Sequence, residues 1–137
     1  MSKLRKVWKL SSVKSPKSTV PESIKEDLLA KATHLIEYHL KTRYVLPPRK
    51  DIKYNYVTNI SGKWNRSYFY FIAIFACPGP NAISPTFERK FARMEYVGEG
   101  NFTLAYLRHT GTWFEISAEL SMEDSLKAIQ DDPCFQL

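Results

Sequence analysis

Eight consecutive residues, Tyr68-Phe69-Tyr70-Phe71-Ile72-Ala73-Ile74-Phe75, are uncharged and apolar or aromatic on both parities. The run is far short of the roughly 18 apolar residues that would span a bilayer. It belongs in the middle of a sheet, covered on both sides or partly by a second copy of the chain. Left exposed, such a segment would aggregate. The rest of the chain must therefore supply strands beside this run and a layer to cover it.

The covering layer comes first. Pro21 precedes Ser23-Ile24-Lys25-Glu26, a capping-box pattern that predicts a helix start. Leu28, Leu29, Ala32, Leu35, Ile36 and Leu40 then recur at spacings of three and four and predict one apolar stripe. Asp27 with Lys31 and Glu37 with Lys41 have the favourable acid-first order on the solvent side. Pro47-Pro48 forbids continuation much beyond Arg43.

Alternation follows. Ile52, Tyr54, Tyr56, Thr58 and Ile60 share one parity and predict a half-buried strand, with Ser61-Gly62-Lys63 as the turn into the apolar run. A loop opens at Pro78-Gly79-Pro80-Asn81 and closes at Pro85. The third strand, from about Phe87 to Val97, puts Ala92, Met94 and Tyr96 on one face and Arg89, Arg93 and Glu95 on the other. Gly98-Glu99-Gly100 supplies a short hairpin. If Val97 pairs with Asn101, Met94 faces Leu104 and Ala92 faces Tyr106, which leaves Arg89, Arg93 and His109 together on the other face. Thr110-Gly111 turns into a fifth strand at Trp113, whose face is undetermined because a one-residue slip reverses it. Ser121 with Asp124 caps a closing helix through Met122, Leu126 and Ile129, Pro133 stops it, and Phe135 tucks back onto the body. The expected fold is α+β: one long N-terminal helix on a five-stranded antiparallel meander sheet, with a short C-terminal helix.

Charge divides the chain differently. Six of the 20 basic residues fall in residues 1–21, which contain no acid, and the remaining 14 balance the 14 acids. Residues 1–20 are therefore expected to be a flexible basic arm, and 21–137 a single domain. No segment is apolar enough for a membrane, the N-terminus lacks the apolar stretch of a secretory signal, and the expected location is the cytoplasm.

From Arg89 onward the chain resembles an uncharacterised bacterial family of small α+β proteins, a domain of unknown function. The resemblance rests on Ala92-Arg93-Met94-Glu95-Tyr96, then Leu104-Ala105-Tyr106, Trp113, Leu126, and Asp131 with Phe135. The loop Cys77–Thr86 is outside the family's pattern, and Gln136-Leu137 replace its final aromatic. The resemblance implies a fold and no activity, cofactor or site.

Catalytic chemistry finds little support. His34 and His39 are five apart, roughly 140° around an α-helix, so they are not expected to share a metal. Cys77 and Cys134 have no paired spacing, and no metal or cofactor is expected. The chemistry-bearing cluster is Arg89, Lys90, Arg93, Arg108 and His109, with Phe91 and Trp113 nearby. Basic side chains among aromatics can hold single-stranded nucleic acid through phosphate contacts and base stacking. Lys3, Arg5, Lys6 and Lys9 on the arm, with Trp8, would add to such a surface. The competing expectation is that the arginines pair with Glu88, Glu95 and Glu115 on a solvated face. Three functional classes follow: a binding module for nucleic acid or another polyanion, an acidic protein included; an assembly subunit that dimerises through the aromatic strand; and a small enzyme with a pocket between helix and sheet, as in cystatin-like folds.

Overall fold

Pro21 is the residue that starts the first helix. A computed structural model describes residues 19–45, 54–79 and 84–137. In it the Pro21 carbonyl accepts from the Ile24 and Lys25 amides at 3.0 and 3.1 Å. Helix α1 begins at Glu22–Leu35, passes through a π-helical turn at Ile36–Leu40 and ends in a last α-helical turn at Lys41–Tyr44. The capping box does not form: with Pro21 as N-cap, Ser23 already lies inside the first turn and no side chain caps the helix. Leu28, Ala32, Leu35, Ile36 and Leu40 are buried as the spacing predicts, but Leu29 lies beside the stripe and is exposed. The two expected ion pairs form, Lys31 with Asp27 at 3.3 Å and Lys41 with Glu37 at 2.8 Å. Pro47-Pro48, which was expected to stop the helix, lies outside the described residues.

Five strands form one antiparallel meander in chain order: β1 Tyr56–Asn65, β2 Tyr68–Ala76, β3 Thr86–Gly98, β4 Asn101–Leu107 and β5 Trp113–Ser121. The apolar run is β2, inside the sheet between β1 and β3. Two expectations for β1 are corrected. The strand runs straight through Ser61-Gly62-Lys63, and the turn is Arg66-Ser67, closed by the Asn65–Tyr68 pair with Arg66 at positive φ. Gly62 serves packing instead: a Cβ there would lie 2.7 Å from Phe69 Cζ. A bulge at Thr58 also breaks the expected parity, so Val57 and Ile60 are buried while Tyr54 and Thr58 are exposed. Ile52 lies outside the described residues.

The β3–β4 hairpin has the expected register, with Met94 opposite Leu104 and Ala92 opposite Tyr106. Its closing pair is Gly98 with Asn101, which makes Val97 a bulge, and Glu99 and Gly100 both take the positive φ of a type I′ turn. β5 pairs Trp113 with Leu107 and Glu115 with Ala105.

Helix α2, Met122–Asp131, is capped by Ser121, whose hydroxyl accepts from the Asp124 amide at 3.0 Å. It lies beside α1, joined by Lys31–Glu123 at 2.7 Å and by Arg43 Nη1 donating to the Gln130 carbonyl. Both helices cover the face that carries Phe69, Phe71, Met94, Phe102 and Leu104. Phe135 folds back as expected, buried edge-on to Tyr106. The opposite face carries no helix among the described residues.

Candidate functional site

Strand alternation sorts the aromatic run by chemistry. In β2 the phenylalanines Phe69 and Phe71 point to the helices and are buried, while Tyr68 and Tyr70 occupy the open face. A tyrosine hydroxyl needs water or a partner, so this division places each ring where its chemistry is satisfied. The register sets Tyr70 opposite Arg93, Arg93 opposite Ala105, and Ala105 opposite Glu115. Ala105 is small and fully buried, which leaves room above β4 for large side chains from either side.

Those side chains meet over the sheet. The Arg93 guanidinium carbon is 4.7 Å from the Trp113 ring centre and 5.0 Å from that of Tyr68. Tyr70 lies 6.0 Å from Trp113 and stacks at 5.9 Å on Tyr68. Lys90 Nζ is 4.6 Å above the Tyr70 ring. Two cations thus contact three aromatic rings on one sheet face, which carries no helix among the described residues. Arg93 Nε is buried and has no hydrogen-bond partner among the described residues.

The expected pairing of these arginines with Glu88, Glu95 and Glu115 is not what forms. Among the described residues the ion pairs are those of Lys31 and Lys41 on the helices. The register explains the difference: Glu95 sits opposite Tyr68 and Thr103, and Glu115 opposite Ala105, so no acid is directly across from Arg93. Burial holds the Tyr68 phenol above its ordinary pKa, with nearby Glu95 adding to the effect and Arg93 opposing it. The phenol is therefore neutral at physiological pH and can donate a hydrogen bond.

The other expected site residues separate. Arg89 Nη2 donates to the Leu107 and Arg108 carbonyls, both at 3.3 Å, and so braces the β4–β5 hairpin. It also lines, with Lys90, Phe87, Leu107 and Trp113, a hollow of about 500 Å³ at the end of the cation–aromatic strip. Arg108 lies over Phe114 at 5.5 Å, apart from Arg93, and His109 is exposed in the hairpin turn. Phe91 falls at a bulge in β3 and is buried against Phe71, so it is not available for stacking on a ligand. Lys3, Arg5, Lys6, Trp8 and Lys9 lie outside the described residues. Tyr68 and Tyr70 are the site residues that the sequence reading overlooked. Their signal was the Tyr-Phe-Tyr-Phe alternation inside a run read as uniformly apolar.

No three His, Cys, Asp or Glu side chains converge as a metal cluster among the described residues. No helix among them is long and apolar enough to cross a membrane.

The molecule is thus a two-layer α+β protein, helices on one side and a cation–aromatic sheet face on the other. Residues 20–137 match the model of a domain of unknown function, DUF3024, and the chain belongs to that family. No curated protein and no solved structure matches the chain.

Proposed function

We propose that the open sheet face is a binding surface for single-stranded nucleic acid or a similar polyanion. The observation that carries this reading is the Arg93 guanidinium, stacked between Tyr68 and Trp113 with no carboxylate pairing it among the described residues. Stacking leaves the outer edge of a guanidinium free to donate to phosphate or base oxygens, and the half-buried rings of Tyr68, Tyr70 and Trp113 offer their remaining surface to bases of any sequence. Sheet surfaces that present aromatic side chains are a recurrent way to hold unpaired bases. The basic residues Lys3, Arg5, Lys6 and Lys9 would extend the electrostatic footprint, and a cytoplasmic setting would supply such ligands.

Fluorescence anisotropy with a labelled oligonucleotide across a salt series tests the reading. The truncated form is best begun at Thr19, because Val20 is part of the buried core. Full-length protein should bind with a steep salt slope, Trp113→Ala should weaken binding, and removal of the arm should flatten the slope. Absence of binding by full-length protein at low salt would sink the proposal.

A second reading, a self-associating subunit, draws on Phe87, which is 40% exposed and stacks at 4.9 Å on Phe75 at the end of the sheet. It requires a size that grows with concentration in sedimentation velocity, and loss of that growth in Phe87→Ser.

A further inference from the structure

The two histidines of α1 stand together. In an unbroken α-helix, residues five apart point roughly 140° away from each other. Here the Lys41 amide donates to the Ile36 carbonyl, five residues back, and the widened turn at Ile36–Leu40 follows His34 and contains His39. The His34 and His39 rings come to 6.2 Å between centroids, and the Tyr38 ring lies tilted against His34 at 4.6 Å. The expectation that these two side chains point apart is therefore corrected by the local helix geometry.

We propose that His34 and His39 form a two-imidazole site for a late first-row divalent cation such as Ni²⁺, Cu²⁺ or Zn²⁺. Nitrogen–metal bonds of about 2.1 Å put each ring centre roughly 3.2 Å from a shared ion, so the centres stand roughly 4.5–5.5 Å apart at ligand angles between square and trigonal, and roughly 6.4 Å apart when the two ligands are opposite. The observed 6.2 Å lies between these two spacings, so a shared ion requires a modest rotation of the two exposed side chains. Imidazole favours these cations over magnesium and calcium. Both rings line a hollow of about 460 Å³ between α1 and α2, which leaves space for water to complete the coordination shell. Glu123 and Asp131 line the hollow from α2 and add negative charge to it, while Lys31 and Lys127 oppose them. Two protein ligands make this an exchangeable site and not a structural one.

The site also has a conformational consequence. An ion bridging the two rings favours the π-helical turn over a regular α-helix, in which the pair would separate. Ile36 begins that turn and packs close to Gly62 of β1, so the bound ion would tighten the seam between helix and sheet. The site lies on the helical layer, opposite the cation–aromatic face, and does not depend on its function.

Isothermal titration of the full chain with NiCl₂ decides the matter, using His34→Asn and His39→Asn separately. Both residues are exposed, so neither substitution disturbs the core. Saturable binding of one equivalent, weakened by at least about tenfold in each variant and unchanged in His109→Asn, is the expected result. The proposal is overturned by no saturable binding at millimolar metal, or by binding that survives either substitution.

Discussion

The Arg93 guanidinium carbon lies 4.7 Å from the centre of the Trp113 ring, although β3 and β5 are not neighbours in the sheet. The contact passes over β4, where Ala105 presents only a methyl group. A sheet face that was merely solvated would more commonly carry alternating opposite charges across its strands. Here the cross-strand neighbours of Arg93 are a tyrosine and an alanine, and its stabilisation comes from ring faces.

That arrangement predicts that stability and binding separate at Arg93. Arg93→Met keeps an apolar stem between Tyr68 and Trp113 and removes the buried, unpartnered Nε. Loss of cation–π attraction and removal of an unsatisfied donor act in opposite directions, so the change in stability should stay within about 1 kcal/mol. Oligonucleotide affinity should fall, with the salt slope reduced by about one. Urea denaturation beside anisotropy distinguishes the two effects, and a large stability loss with unchanged binding would make Arg93 purely structural.

Gly62 is predicted to resist even alanine. The added Cβ would lie 2.7 and 2.9 Å from two carbons of the Phe69 ring. Phe69 is fully buried and wedged edge-on against both Trp64 and Phe71, so it cannot swing aside. Gly62→Ala should therefore destabilise by about 1–3 kcal/mol despite the better strand propensity of alanine. Adding Phe69→Leu should recover part of that loss, a coupling that a double-mutant cycle in urea measures.

The two serines expected to cap helices make a matched pair. Ser121 accepts from the Asp124 amide, so Ser121→Ala should cost about 1 kcal/mol. Ser23 lies within the first turn of α1 and caps nothing, so Ser23→Ala should change stability by less than about 0.5 kcal/mol. Thermal melts of the two variants side by side check the contrast.

These cases show what the residues announce and what they conceal. The β3–β4 register was legible because glycines mark the turn and Ala92, Met94 and Tyr96 alternate with Arg93 and Glu95, so Met94 and Leu104 had one sensible pairing. Gly62 misled because a glycine required for close approach looks the same in sequence as one required for a turn. The capping box at Ser23 failed because Pro21, two residues earlier, is itself a good start. The site was half legible: Arg93 and Lys90 stood out, whereas the face of Trp113 depended on a register that only the folded hairpin decides. The nearness of His34 and His39 was hidden entirely, because no residue type signals a π-helical turn.

The junction of the two helices predicts a pH response with a defined sign. Lys31 hydrogen-bonds to Glu123 at 2.7 Å and also pairs with Asp27. The lysine ammonium holds the Glu123 carboxyl below its ordinary pKa, chiefly through that hydrogen bond. Glu123, followed by Asp27, raises the pKa of Lys31 in return. A lowered carboxyl pKa contributes stability that is present above the unfolded value of about 4.3 and is lost as the pH falls through the folded one. A raised lysine pKa contributes stability below its unfolded value of about 10.4, lost as the pH rises past the folded one. The partners are solvent-exposed, so the effect is small. Glu123→Gln should lower Tm by about 1–3 °C near neutral pH, and less in high salt. The difference from the parent protein should shrink toward zero in acid. Melts at several pH values check this, and a difference that grows on acidification would mean that Glu123 acts through packing instead of charge.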